Sequence, residues 1–110
     1  MKHKVGLVKI DYELVVGGKR TSESFASALW LERRGRRAKL SFVFSDYEGV
    51  ALLHRVLSEL RWEYKFEGGN WIIYTNKPLD GMKRLIELGW VEKPEARAKL
   101  VALLLLEEGR

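Results

Sequence analysis

Apolar and polar side chains alternate along the first part of the chain, which is the pattern of half-buried β-strands. In residues 5–16 the even positions from Val8 to Leu14 are apolar, while Lys9, Asp11 and Glu13 fall on the other side. Strands are also predicted at residues 21–32, 38–45, 62–67 and 70–75, which are rich in β-branched and aromatic residues. A strand of twelve residues would run to roughly 40 Å, so we expect a bulge near residues 24–27.

Three later segments have helical spacing. Residues 46–61 follow an N-cap at Ser45 and repeat apolar residues at helical intervals. A second helix is predicted from Pro78 to near Gly89 and a third from Pro94, whose apolar residues cover almost the whole circumference. The order β-β-β-α-β-β-α-α predicts an α+β domain, with an antiparallel sheet of about five strands and helices mainly on one face.

Composition narrows the class of protein. The chain has 110 residues, which fits a single domain, and it has no cysteine, which excludes disulfides and thiolate chemistry and favours a cytoplasmic setting. We expect no membrane segment, since the longest apolar run spans only residues 100–106. Glutamine is absent and Glu, Lys and Arg are abundant, a balance typical of proteins that work at high temperature. The net charge of +5 and the isoelectric point near 9.6 favour an acidic partner.

The strongest local signal is a basic turn between the second and third predicted strands. Five of the seven residues at positions 33–39 are cationic, and they are Arg33, Arg34, Arg36, Arg37 and Lys39. Guanidinium groups pair phosphates bidentately, so this turn predicts binding to nucleic acid, either DNA or RNA. The alternative is a solvated turn that keeps the end of the sheet soluble.

Other residues are expected to support that contact. Lys19 and Arg20 lie after the first turn, and Trp30 and Ser41 extend from the basic turn along the second and third strands. Trp30 is a candidate for base stacking, because the apolar residues of its strand fall on the opposite face.

The last helix carries more apolar surface than one face of a small sheet can cover. We expect Leu100, Val101, Leu103 and Leu104 to form a homodimer seam, with burial inside the monomer as the alternative. If this helix and an edge strand carry the function, the protein is an assembly module and not a nucleic-acid-binding protein.

The run from Leu40 to Trp90, LSFVFSDYEGVALLHRVLSELRWEYKFEGGNWIIYTNKPLDGMKRLIELGW, resembles the strand-helix-hairpin-helix part of a LAGLIDADG homing-endonuclease half-domain. Gly6-Leu7-Val8-Lys9-Ile10-Asp11 is similar to the family signature, with Asp11 in the place of its metal-binding acid. Lys9 and Tyr12 depart from that signature, so we carry over no nuclease activity. The resemblance implies a DNA-binding half-domain that pairs with itself through helices.

Candidate catalytic groups are sparse. His3 and His54 are far apart in sequence, and we expect His54 to be a partly buried helix residue. No metal-ligand spacing or phosphate-binding glycine loop is present, so we expect no cofactor and a nonenzymatic protein. A third hypothesis is a metal-dependent nuclease that uses Asp11 with Glu13 or Asp46.

Overall fold

The computed structural model describes residues 1–92 and 95–108. Over these residues the chain forms five β-strands, three α-helices and one short 3₁₀ helix, in the predicted order. The strands are β1 Lys2–Val16, β2 Lys19–Arg34, β3 Arg37–Ser45, β4 Glu63–Glu67 and β5 Asn70–Thr75. The helices are the 3₁₀ helix Asp46–Glu48, α1 Val50–Glu59, α2 Pro78–Glu87 and α3 Glu95–Glu108. Pro94, the predicted start of the last helix, lies outside the described residues.

The strands form one antiparallel sheet in the order β1-β2-β3-β5-β4. Gly17 and Gly18 connect β1 to β2 with φ of 57° and 81°, and Gly68 and Gly69 connect β4 to β5 with φ of 56° and 80°. Positive φ at both central residues is the type I′ turn, which matches the twist of a two-residue hairpin. These turns fix the hairpin registers, and the predicted α+β fold with an antiparallel sheet is confirmed.

One face of the sheet is covered and the other is free of helices. Strand residues on the covered face join the helices in one core, whose members with no more than 1% exposure include Val8, Ile10, Leu29, Leu31, Leu40, Phe42, Ile73, Leu52, Val56, Met82, Leu85 and Leu100. Among the described residues no helix packs on the opposite face, which we call the open face. Directly opposed residues of neighbouring strands point to the same face, so the strand register identifies the residues of the open face.

Over the described residues, the one register irregularity between β1 and β2 lies in β1. Lys4 pairs with Trp30 and Gly6 pairs with Leu29, so Val5 is an extra residue in its strand. This bulge lets Val5 and Val8, three positions apart, both enter the core. The bulge predicted near residues 24–27 is therefore wrong. Strand β2 does not need to bend, because residues 15–24 are all exposed and project with β1 as a two-stranded arm from a molecule 56 Å long.

The predicted helix 46–61 is interrupted. Ser45 Oγ accepts a hydrogen bond from Tyr47 N at 3.1 Å and caps the 3₁₀ helix. Gly49 then has φ of 87° and ψ of 178°, which is neither helical nor readily adopted by other residues. The α-helix begins only at Val50, because Gly49 lets the chain change direction before it crosses the sheet.

Helix α3 packs on β1 within the monomer. Leu100 is fully buried, so its predicted place in a homodimer seam is wrong: the core of the monomer already occupies its side chain. Leu103 and Leu104 are partly buried against the same core and Val101 is half-buried. For these three residues the dimer seam stays a prediction. None of the helices, over the described residues, is long and apolar enough to cross a membrane.

Helix α2 approaches the sheet closely at Gly81. A Cβ atom there would lie 2.7 Å from Thr75 Cγ2 and 2.9 Å from Trp62 Cζ2. Alanine favours a helix over glycine by about 1 kcal/mol, but overpacking costs about 1 to 3 kcal/mol. We expect Gly81→Ala to lower the free energy of unfolding by about 1 kcal/mol net in urea titrations. Lys83→Ala, at an exposed position of the same helix, is the control and should change it little. A more stable Gly81→Ala variant would contradict this close packing.

Candidate nucleic-acid interface

Three side chains lie side by side across the middle of the open face. Trp30 of β2 pairs with Ser41 of β3, and Ser41 pairs with Tyr74 of β5. Directly opposed residues point to the same face and neighbouring strands are about 4.8 Å apart, so the two aromatic residues stand roughly 10 Å apart. The small Ser41 lies between them, and Lys4 extends the row onto β1. The row is thus a pair of rings separated by a narrow gap.

A lysine covers each ring. Lys2 Nζ lies 4.8 Å from the ring centroid of Trp30, and Lys39 Nζ lies 4.7 Å from that of Tyr74. Both rings are half-buried in this arrangement. A cation over an aromatic ring contributes about 0.5 to 1 kcal/mol at exposed sites and about 2 kcal/mol when it is desolvated, so these half-exposed contacts are modest. A flat ligand can therefore displace either lysine from its ring at small cost, and the displaced ammonium group stays close to the ligand.

The arginine turn, residues 33–37, places two guanidinium groups on the open face. Arg34 and Arg37 are directly opposed and both are exposed. Gly35 has φ of 58°, the positive value that a type II′ turn needs at its first central residue, and Arg36 is exposed at the tip. Like charges directly opposed in a sheet destabilise it. An anion bound between Arg34 and Arg37 would relieve that repulsion.

Arg33 lies on the other side of the sheet. It pairs with Ala38, and both positions alternate with open-face residues. The Arg33 backbone N–H donates to Met1 O at 2.8 Å, and its buried Nε has no hydrogen-bond partner among the described residues. The structure therefore separates the predicted phosphate-binding residue Arg33 from Arg34 and Arg37.

A depression of about 510 Å³ lies beside the arginine turn on the open face. Four cationic side chains line it together with the ring of Tyr74, and they are Arg34, Arg37, Lys39 and Lys65. Glu32 also lines it, with Oε2 3.8 Å from Lys39 Nζ. Since a partly exposed ion pair at this distance contributes little, Lys39 can exchange it for a contact to an anion. We call this site the basic depression.

Sequence analysis missed Tyr74 and Lys65. Both lie on strands whose hairpin was predicted, and the Gly68-Gly69 turn places Lys65 opposite Ile72. The pairing of β5 with β3 joins residues 25 to 35 positions apart, and no local pattern encodes it. Without that pairing, nothing connects β4 and β5 to the arginine turn.

Lys19 and Arg20 are far from the basic depression. They lie at the start of β2, and the arginine turn lies at its end. Fourteen residue steps from Arg20 to Arg34 span roughly 46 Å of extended strand. Arg20 instead forms an ion pair with Glu13, with their charged atoms 3.8 Å apart. For a short ligand at the arginine turn we therefore expect no contact from Lys19 and Arg20, because the length of β2 separates them from it.

Of the acidic residues of the nuclease hypothesis, Asp11 and Glu13 line one depression together with His54, while Asp46 has a partner on β5. Asp11 and Glu13 lie within β1 and point to the open face. Asp46 Oδ1 accepts a hydrogen bond at 3.0 Å from Nε1 of Trp71, whose ring belongs to the covered face. Among the described residues no three His, Asp or Glu side chains are grouped to hold a metal ion. His54, expected to be partly buried, is exposed on α1.

Comparisons with protein-family models, with curated proteins and with solved structures gave no significant match.

Proposed function

We propose that this protein binds single-stranded nucleic acid, DNA or RNA, on the open face of its sheet. The observation that carries the proposal is that Trp30 and Tyr74 share one face with the four cations of the basic depression. The proposed role is nonenzymatic and cytoplasmic. Ser41, which lies between the two rings, also contacts the bound strand in this proposal.

The two rings favour unpaired bases. Base stacking on an aromatic side chain contributes about 1 to 3 kcal/mol per base and tolerates any sequence, because every base has a flat face. In a duplex those faces are stacked on one another and are not accessible. Rings on an exposed sheet therefore favour single strands. A bound duplex would make no stacking contact with Trp30 or Tyr74.

The basic depression supplies contacts to the phosphates. It lies beside Tyr74, so a strand with one base on that ring has its backbone within reach of Arg34, Arg37 and Lys39. Lys2 and Lys4 stand beside Trp30 on the opposite side of the row. Phosphate contacts of this kind give affinity that falls with salt and that carries no sequence information.

The proposal is tested by fluorescence-anisotropy titration with single-stranded and duplex DNA and RNA of equal length at two salt concentrations. We expect single strands to bind more tightly than duplexes, and we expect affinity to fall as salt rises. Absence of binding at low salt, or a clear preference for duplex, would overturn it.

The stacking part is tested by Trp30→Leu and Tyr74→Leu. Each should weaken single-strand binding by about 1 to 3 kcal/mol, or roughly 5- to 150-fold in Kd. Tyr47→Leu is the matched control, because Tyr47 is a 97% exposed aromatic residue outside the open face. Equal effects of all three substitutions would argue against stacking on the row.

A further inference from the structure

Strand β4 is a free edge of the sheet. It ends the strand order, and among the described residues no other segment pairs with its outer side. All five of its residues are exposed, including the large side chains Tyr64 at 53% and Phe66 at 50%. Exposed edges with aromatic residues are sites where another strand can add to a sheet.

The turn determines which backbone groups face outward. In a two-residue hairpin the residues next to the turn form a hydrogen-bonded pair, and the pairs then alternate. Glu67, Lys65 and Glu63 therefore use their N–H and C=O groups on β5, while those of Tyr64 and Phe66 point away from the sheet. By the same rule, the backbone N–H and C=O groups of Lys9 in β1 point away from the sheet. The Lys9 N–H indeed donates to Trp90 O at 2.7 Å.

The sequence of this edge complements itself when it is reversed. Residues 61–67 read Arg-Trp-Glu-Tyr-Lys-Phe-Glu. In an antiparallel pair centred on Tyr64, Glu63 faces Lys65 twice within β4, and extension of the strand by the two residues that precede it would oppose Arg61 to Glu67 and Trp62 to Phe66, each twice. Opposite charges and aromatic pairs at directly opposed positions each contribute roughly 0.2 to 1 kcal/mol.

Repulsion between like charges disfavours the neighbouring registers. Since Tyr64 and Phe66 hold the outward groups, the partner strand can shift only by two residues. Centring on Lys65 opposes Lys65 to itself and Glu63 to Glu67, and centring on Glu63 opposes Glu63 to itself. Centring on Phe66 requires an extended strand at Gly68, which has φ of 56°. Charged edge strands usually discourage pairing, but these charges permit one alignment.

Some of these charges lack partners in the monomer. Among the described residues neither Arg61 nor Glu63 has an ion-pair partner, and Lys65 reaches only its neighbour Glu67 at 3.8 Å. Tyr64 and Phe66 rest on one side against Trp71, with ring centroids 6.1 and 4.9 Å away, and are open on the other. Both the charges and the rings are thus available to a second strand.

We propose that two copies of this chain pair through β4 about a two-fold axis at Tyr64, forming a ten-stranded sheet. Directly opposed residues point to the same face, so the open faces of both copies lie on one side of the dimer. The inference stands on the edge alone and does not depend on nucleic-acid binding.

Cysteine cross-linking reads the register directly, because the natural chain has no cysteine. In the proposed dimer the two Tyr64 positions form a hydrogen-bonded pair about 5.5 Å apart, which suits a disulfide. The two Phe66 positions are roughly 14 Å apart and cannot be bridged. We expect Tyr64→Cys to form a covalent dimer under mild oxidation and Phe66→Cys to remain monomeric on nonreducing gels.

Charge reversal provides an independent test by sedimentation velocity. Glu63→Lys alone opposes two lysines and Lys65→Glu alone opposes two glutamates, so each variant should be monomeric where the natural chain dimerises. An equimolar mixture restores opposite charges at both positions and should form heterodimers. A monomeric natural chain, cross-linking through Phe66→Cys instead, or a mixture that stays monomeric would overturn the proposal.

Discussion

Replacing Arg34 and Arg37 together with alanine is expected to weaken single-strand binding by about 2 to 3 kcal/mol, or roughly 30- to 150-fold in Kd. Both side chains line the basic depression, and each exposed charged contact contributes about 1 to 1.5 kcal/mol after screening. Loss of two phosphate contacts should also reduce the magnitude of the log-log salt slope by about 1.4. Anisotropy titrations at several salt concentrations measure both quantities.

The matched control is Lys19→Ala with Arg20→Ala, which removes the same charge at the far end of β2. If both double variants lose affinity equally, net charge drives the binding and the basic depression has no special role. Stability separates the two variants further. Arg34 and Arg37 are opposed like charges, so their removal should leave the melting temperature unchanged or slightly higher while affinity falls.

Leu100→Ala is expected to lower the free energy of unfolding by about 2 to 5 kcal/mol. Leu100 is fully buried in the core beneath α3, so truncation removes apolar contacts and leaves a cavity. Urea denaturation followed by circular dichroism measures the change. It should be the same at every protein concentration, because the contacts lie within one chain.

The control for this prediction is Leu105→Ala on the same helix. Leu105 is 61% exposed, and its truncation should change the free energy of unfolding by less than about 0.5 kcal/mol. A small effect of Leu100→Ala, or one that grows on dilution, would mean that α3 packs between chains and not on its own sheet.

Local patterns predicted the elements of this fold well. Alternation located the strands, and the glycine pairs at 17–18 and 68–69 marked the hairpins correctly. The bulge at Val5 was missed because an extra residue leaves the apolar composition of the strand unchanged while it shifts which residues point to the core. The interruption at Gly49 was missed because apolar spacing continues through the helix that follows it.

The candidate site was predicted only in part. The arginine cluster is contiguous, so Arg34, Arg37 and Lys39 were found from sequence, but a cluster does not state which face each member takes. Alternate residues of a strand point to opposite faces, so Arg33 and the adjacent Arg34 lie on different faces of the sheet. Tyr74 enters the site through a pairing of β3 with β5 that depends on tertiary packing, which a single sequence does not display.

The two edges of the sheet differ in a way that limits growth of an assembly. At β1, the Trp90–Val91 segment contacts Val8 and Lys9, and Asp11 and Glu13 carry like charges along the edge beyond it. Of the two edges, over the described residues, only β4 has this complementary pattern of charges, and in the proposed dimer the pairing of two copies uses both β4 edges. Since the described residues show no second edge with that pattern, we expect the proposed pairing to end at a closed dimer and not to propagate into a fibre.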